Sequence, residues 1–128
     1  MTTYLLDTQA FLLWRLGDPS LGRRAARALA DPKSEIHLST VSVWEISIKR
    51  SLGKLRMDVT TRHLVETAVS AGVRLLPIHP EHLYAVESLP WHHRDPFDRL
   101  LVAQALCEGM TVLGRDPSWA HYGIRLVW

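Results

Sequence analysis

Two aspartates three residues apart stand in the segment His92–Ala105, which reads HHRDPFDRLLVAQA. Asp95 precedes a proline, where a carboxylate is a good N-cap for the helix that follows. Asp98 then stands at the third helical position, where it could complement the helix dipole or have a chemical role. Because one acid is enough to cap a helix, the second acid is a candidate for chemistry.

Three further acids stand close to short apolar runs that could be strands. Asp7 directly follows one such run, and Asp116 follows another by two residues. Glu45 lies in the first turns of the helix predicted after a third run. In open parallel sheets, functional groups gather beyond the carboxyl ends of the strands. An acid that ends a buried strand gains nothing from strand propensity, so Asp7 is the hardest of the three to explain structurally.

Each of these acids also has a structural explanation. Asp116 precedes a proline and could cap a short helix. Glu45 could complete a capping box with Ser42, or it could pair with Lys49 one helical turn further on. The chemical interpretation therefore depends on whether the acids meet in space.

Convergence of Asp7, Glu45, Asp98 and Asp116 would create an electrostatic problem. Two unit charges ~4 Å apart repel by about 4 kcal/mol at an effective dielectric constant near 20. A domain that is stable by only ~5–15 kcal/mol requires either protonation of some acids or a bound cation. Oxygen ligands without a cysteine pair or an HExxH pattern favour Mg²⁺ or Mn²⁺ over zinc, although the chain has histidine pairs at 79/82 and 92/93.

The elements that must position the acids alternate between strands and helices. The predicted strands are Thr3–Leu6, Glu35–Ser39, Val73–Ile78, Met110–Gly114 and the terminal IRLVW. The predicted helices cover about 8–16, 22–30, 40–53, 61–71, 80–89 and 96–108, the first of them capped by Thr8. Strands separated by helices imply right-handed crossovers and a parallel sheet covered on both faces. We therefore predict an α/β fold, a three-layer α/β/α arrangement with about five short parallel strands, as a single domain over 1–128. The sequence leaves open whether the helix that carries Asp98 begins at the same edge of the sheet.

Composition excludes several classes of protein. The chain has 128 residues and a net charge of +2, and its one cysteine, Cys107, fits a reducing cytoplasm. No apolar run approaches the ~20 residues that span a bilayer, and we expect no signal peptide because Asp7 interrupts the apolar N-terminus. The chain has no glycine-rich phosphate-binding motif and no GxSxG motif.

Four segments resemble the PIN domain, and more narrowly the VapC toxins of prokaryotic toxin–antitoxin pairs. They are LLDTQAFLLW (Leu5–Trp14), STVSVWEISIKRSLGKL (Ser39–Leu55), HRDPFDRLLVAQA (His93–Ala105) and RDPSWAHYGIRLVW (Arg115–Trp128). The segments occur in the family's order over nearly the whole chain. The resemblance implies a metal-dependent endoribonuclease, and the family's acids match Asp7, Glu45, Asp98 and Asp116. It also implies that Asp95 is a helix cap, and that the partners are a VapB-like antitoxin and a second copy in a homodimer.

Two positions depart from the family pattern. Gly114 stands where many relatives have a threonine, and Gln9 stands where many have an asparagine or a histidine. Neither departure removes an acid, but both leave the surroundings of Asp7 and Asp116 open.

The hypothesis from the sequence is hydrolysis of RNA phosphodiesters by metal-activated water, with the four acids as ligands of Mg²⁺ or Mn²⁺. Asp7 and Asp98 would be the main ligands, and Glu45 and Asp116 would complete the shell. The candidates to contact RNA are Thr8, Arg94, Arg99 and Arg115, although the arginines could equally form surface ion pairs. We expect Trp44 to belong to the core. The alternatives are a binding module that holds RNA or a partner without cutting it, and a structure-specific DNA nuclease.

Overall fold

The computed structural model describes residues 2–128. The strands are β1 (Thr3–Leu6), β2 (Glu35–Ser39), β3 (Arg74–Leu76), β4 (Thr111–Leu113) and β5 (Leu126–Val127). The helices are α1 (Thr8–Arg15), α2 (Arg23–Ala30), α3 (Thr40–Ser51), α4 (Thr61–Ser70), α5 (Pro80–Ser88) and α6 (Pro96–Glu108), with a 3₁₀ helix at Pro117–Tyr122. Across the described range 2–128, no helix is long and apolar enough to span a bilayer.

All five strands are parallel, in the order β3-β2-β1-β4-β5. Strand β1 is central, and Tyr4 pairs with Ile36 of β2 on one side and with Thr111 of β4 on the other. The chain moves outward in one direction from β1 to β3 and in the other from β4 to β5. The crevice between β1 and β4 is therefore the topological switch point, where open sheets of this kind bind their ligands.

Helices cover both faces of the sheet, because successive side chains of a strand point to opposite faces. Leu5 of β1 packs in a core cluster with residues of α5 and α6, whereas Leu6 packs in a second cluster with residues of α1, α2 and α4. Leu5 and Leu6 are both fully buried. The two clusters confirm the predicted three-layer α/β/α arrangement.

The first turns of two helices differ from the prediction. Asp7, not Thr8, is the N-cap of α1, and its side chain accepts a hydrogen bond from the Ala10 N–H. Helix α3 begins one turn earlier than the proposed capping box requires, with Ser39 as its N-cap. The capping box of Ser42 and Glu45 is therefore wrong, since both residues lie inside the helix.

Helix α6 begins and ends as predicted, at Pro96 and Glu108. Asp95 caps it by accepting hydrogen bonds from the backbone N–H groups of Phe97 and Asp98. The capping role predicted for Asp95 is confirmed, and the carboxylate of Asp98 is left free of that role.

Candidate active site

A pocket of about 350 Å³ brings together the four acids singled out in the sequence. It lies beyond the carboxyl ends of β1 and β4, which are followed by Asp7 and Asp116. Its lining residues are Asp7, Thr8, Gln9, Leu12, Leu13, Glu45, Lys49, Asp98, Asp116 and Trp119. The helix that carries Asp98 does therefore begin at this edge of the sheet, which the sequence alone had left open.

Asp7 is held at the end of β1 by its own helix cap. Its Oδ1 lies 2.6 Å from the Ala10 backbone nitrogen, and the residue is 9% exposed. Burial raises the pKa of Asp7 to about 6, although the hydrogen bond from Ala10 acts in the opposite direction. The negative charges of Glu45 and Asp116 add to the increase.

Gly114 leaves the space that the Asp7 carboxylate occupies. A Cβ atom placed on Gly114 would lie 2.5 Å from Oδ2 of Asp7, closer than van der Waals contact allows. A threonine at this position, as in many relatives, would require Asp7 to move. The departure from the family pattern at Gly114 thus bears directly on the placement of Asp7.

Asp98 has the more strongly perturbed carboxyl group. Burial raises the pKa of Asp98 to about 7, and the charge of Asp95 is the next largest cause. Glu45 and Asp7 raise the pKa further, whereas His93 lowers it. The charged form of Asp98 is therefore disfavoured in the pocket, and a positive charge nearby would favour it.

Glu45 is the acid that the chain neutralises itself. Lys49 Nζ lies 2.5 Å from Glu45 Oε2, as the spacing of one helical turn predicted. The Thr8 hydroxyl lies 2.7 Å from Glu45 Oε1 and 2.9 Å from Ser42 Oγ. The hydrogen bond with Glu45 raises the pKa of Lys49. Thr8 therefore holds Glu45 in place. Lys49 adds a positive charge to the lining of the pocket, and the sequence did not predict that Lys49 would lie there.

Asp116 accepts hydrogen bonds that favour its charged form. Its Oδ1 accepts a hydrogen bond from the Ser118 N–H, which confirms the alternative that Asp116 caps a short helix. Although burial acts in the opposite direction, the hydrogen bonds from Ser118 and His93 lower the pKa of Asp116. The cap uses Oδ1, so Oδ2 still faces the other groups of the pocket.

His93 is the residue at this site that the sequence analysis missed. Its Nε2 lies 3.1 Å from Asp98 Oδ2 and 3.2 Å from Asp116 Oδ2. These three atoms lie within 4.8 Å of one another, a spacing that could hold a metal ion. His93 stands two residues before Asp95, the N-cap of α6, and this position could have indicated that it lies near Asp98. Its adjacency to His92 suggested a zinc site instead.

The four candidates to contact RNA have different environments. Thr8 lines the pocket, and Arg94 and Arg115 are exposed. Arg99 is only 4% exposed, and its guanidinium donates to the backbone carbonyls of Val86, Leu89, Pro90 and His93. The prediction for Arg99 is wrong, because its donors are already used in ordering the connection between α5 and α6.

The placement predicted for Trp44 is also wrong. Its side chain is 53% exposed and packs edge-to-face on Phe97, with ring centroids 5.0 Å apart. The buried side chains of α3 are Val41, Ser42, Glu45 and Ile46, so Trp44 lies on another face of the helix. The indole therefore covers the first turn of α6 from outside instead of filling the core.

Comparison with known proteins identifies the fold family. A family model described as PIN domain matches residues 4–124, nearly the whole chain. The chain belongs to the PIN domain family. No curated protein sequence matches the chain closely enough to count as a relative.

Solved structures of toxin–antitoxin complexes share the fold of this PIN domain. The VapBC2 complex of Rickettsia felis, bound to a promoter DNA fragment, matches with a TM-score of 0.73 and 14% identity over 98% of this chain and 97% of the other. FitAcB of Neisseria gonorrhoeae matches with a TM-score of 0.62 and 18% identity over 96% and 95%. VapBC-1 of nontypeable Haemophilus influenzae matches with a TM-score of 0.64 and 12% identity over 98% and 96%. At these identities the likeness shows the fold alone.

The raised pKa of Asp98 predicts a pH-dependent effect of Asp98→Asn on stability in the presence of a chelator. The pKa is about 7 in the folded protein against an ordinary value of 3.8, so the folded state binds more protons than the unfolded chain between these values. The free energy of unfolding of the wild type therefore falls as pH rises through this window. The uncharged amide of Asp98→Asn does not titrate, so the variant does not lose this stability. The gain in the free energy of unfolding should be larger at about pH 8 than at about pH 5 by about 1–2 kcal/mol.

Urea denaturation at the two pH values measures this difference. The matched control is Asp58→Asn, at an exposed aspartate outside the pocket, which should change stability equally at both. If Asp98→Asn raises the free energy of unfolding equally at both pH values, the pKa of Asp98 is not raised in the folded protein.

The buried environment of Arg99 predicts that Arg99→Lys destabilises the fold. The guanidinium contacts four carbonyls and stacks 3.7 Å above the Trp91 ring, and a single ammonium cannot reproduce this arrangement. We expect a loss of about 2–4 kcal/mol in the free energy of unfolding. Arg94→Lys, at an exposed position, should stay within about 0.5 kcal/mol of wild type. Equal effects of the two substitutions would show that the carbonyl contacts contribute no stability.

Proposed function

We propose that this PIN domain, over residues 1–128, is a metal-dependent endoribonuclease that acts as the toxin of a toxin–antitoxin pair. The observation that carries the proposal is the meeting of four acids in one pocket at the switch point of the sheet. The acids come from four separate elements. Structural roles such as helix capping would need only one or two of them, so they do not explain why four acids meet in one pocket. Membership of the PIN family and the structural likeness to toxin–antitoxin complexes support the proposal.

The chemistry of the donor set fits a hard divalent cation. Carboxylate oxygens are the ligands that Mg²⁺ and Mn²⁺ prefer. Burial first and neighbouring acids second raise the pKa values of Asp7 and Asp98, and a cation in the pocket would offset both causes. Asp7 and Asp98 would be the main ligands, and Glu45 and Asp116 would complete the shell. The ion would supply Lewis-acid activation of water and neutralise charge on a phosphodiester.

The chain's own groups orient three of the four acids for this purpose. Asp7 is fixed through the Ala10 N–H, and Asp116 is fixed through the Ser118 N–H, each by one oxygen. Glu45 is fixed by Thr8 and Lys49. In Asp7 and Asp116 the second oxygen is free of these backbone contacts, so each can turn a lone pair to the pocket while its partner oxygen keeps the side chain in place.

RNA would approach over the exposed arginines. Arg94 and Arg115 are the remaining candidates to contact phosphates, since Arg99 is buried. The guanidinium of Arg115 lies 4.9 Å from the centroid of the Trp128 ring, and its positive charge lowers the pKa of Asp7. Arg115 therefore lies where a phosphate next to the acids could be contacted, and a planar guanidinium binds phosphate oxygens with two parallel hydrogen bonds.

A VapB-like antitoxin would neutralise the nuclease in the cytoplasm, and the PIN domain itself would form a homodimer. A lysine or arginine of the antitoxin placed among the acids would relieve the same repulsion that a metal ion relieves. Leu12 and Leu13 give the pocket an apolar border beside the acids, against which an antitoxin segment could pack. One solved structure of similar fold, from Klebsiella pneumoniae, is described as a toxin–antitoxin complex.

The two aspartates of α6 provide a matched test of the proposed activity. In the presence of Mg²⁺ or Mn²⁺, Asp98→Asn should lower the rate of RNA cleavage by about 100-fold or more, because it removes a charged ligand. Asp95→Asn should keep cleavage near the wild-type rate, because asparagine is also a good N-cap. Loss of cleavage in Asp95→Asn alone would reverse the roles of the two residues.

Cleavage assays on single-stranded RNA, structured RNA and flap DNA, each with metal and with chelator, measure these rates. Cleavage that continues unchanged in chelator and in Asp98→Asn would refute the metal-dependent mechanism. Binding of Mn²⁺ in calorimetry without cleavage of any substrate would favour a non-cleaving binding module, and cleavage of flap DNA alone would favour a DNA nuclease.

A further inference from the structure

The ring of His93 faces the acids with one nitrogen and the backbone with the other. Its Nδ1 accepts a hydrogen bond from the backbone N–H of Asp95, with 3.0 Å between the two nitrogens. A ring nitrogen that accepts a hydrogen bond carries a lone pair and no proton. The neutral imidazole therefore has its proton on Nε2, the nitrogen that faces Asp98 and Asp116.

This arrangement is the reverse of that found in metal-binding histidines. A histidine that binds a metal through Nε2 carries its proton on Nδ1 and donates it to a carbonyl or carboxylate. In His93, Nδ1 faces a donor, the Asp95 N–H, so a proton on Nδ1 would be placed against another proton. Nε2 instead donates to Asp116 Oδ2 and lies 3.1 Å from Asp98 Oδ2. The spacing that suggests three metal ligands is thus produced by one donor between two acceptors.

Contacts of the backbone fix the ring in this position. The His93 N–H donates to the Tyr122 hydroxyl at 2.9 Å, and that hydroxyl donates to the Pro90 carbonyl at 2.9 Å. The His93 carbonyl accepts from Arg99 at 3.4 Å. The side chain is 20% exposed, so little solvent competes for its ring nitrogens. The donor is therefore preorganised before any ion enters the pocket.

We propose that His93 is a positioning residue that donates its Nε2 proton to the carboxylate of Asp116, holds the carboxylate of Asp98 beside the same nitrogen, and does not itself bind the metal. The inference rests on the proposed metal site. The side chain of His93 connects Asp98, in the first turn of α6, with Asp116, in the segment after β4. Without it, these two parts of the chain would hold their acids independently. Fixing both carboxylates in advance lowers the cost of assembling the site around an ion.

Two substitutions separate the role of the donor from the shape of the ring. In His93→Gln the amide reaches the position of Nε2 and can still donate to the acids. In His93→Asn the amide reaches only the position of Nδ1, where it can accept from Asp95 but cannot contact the acids. We expect His93→Asn to weaken Mn²⁺ binding by about 10–100-fold in calorimetry, and His93→Gln to restore most of that loss.

The exposed His63 supplies the control, and His63→Asn should bind Mn²⁺ as wild type does. Equal weakening by His93→Asn and His93→Gln, or no weakening by either, would overturn the donor role. Asp98→Asn is the reference for the metal site itself. If it leaves Mn²⁺ binding unchanged, the proposed function fails; if it abolishes binding while His93→Asn matches wild type, the inference about His93 fails alone.

Spectroscopy tests the inference without any measurement of activity. In the metal-free protein, nitrogen-15 NMR of the His93 ring should show an unprotonated Nδ1 and a protonated Nε2. In the Mn²⁺-loaded protein, pulsed electron paramagnetic resonance should show no ring nitrogen bound to the ion. A directly bound nitrogen that disappears in His93→Asn would make His93 a ligand and overturn the inference, as would a proton on Nδ1.

Discussion

The lost hydration and mutual repulsion of carboxylates gathered in one pocket are the constraint to which the rest of this structure responds. Burial and neighbouring acids raise the pKa of Asp7 to about 6 and that of Asp98 to about 7, so the pocket holds more negative charge than its surroundings stabilise. Part of that charge is compensated within the chain. The compensating groups are Lys49, the hydroxyl of Thr8, the ring of His93, and the N–H groups of Ala10 and Ser118. A cation bound in the pocket, as proposed, would compensate the remaining negative charge.

A parallel sheet with this strand order provides a place where such a pocket can form. Strands β1 and β4 are neighbours, yet the chain leaves them toward opposite edges of the sheet, and the crevice between their carboxyl ends stays open. Two acids come from the ends of these strands and one from α3. The fourth depends on the connection between α5 and α6, which Arg99 orders through backbone carbonyls. The buried guanidinium of Arg99 thus helps to place the neighbouring Asp98 through the backbone.

The sequence predicted the fold from local patterns, whereas the meeting of the acids was implied by the resemblance to PIN domains and left open by the residues alone. Short apolar runs give buried strands, and helix-period segments between them impose parallel pairing. The failures concern contacts that only the tertiary structure creates. Arg99 was mistaken for a phosphate contact, because its environment is made of carbonyls from residues 86–93. The role of His93 was not predicted, because Asp98 and Asp116 are distant from each other in the sequence. The exposure of Trp44 was not predicted, because its packing on Phe97 depends on where α6 lies against α3.

The carboxylate of Asp7 serves two parts of the molecule at once, and this narrows the residues that the position can accept. One oxygen begins α1 at the Ala10 N–H, while the other lies against Gly114. Glutamate would keep the charge but extend the carboxylate past the N–H that it caps, and asparagine would keep the cap but lose the charge. Of these three residues, aspartate alone keeps both the helix cap and the charge beside Gly114. In this structure a side chain at Gly114 would require the carboxylate of Asp7 to move.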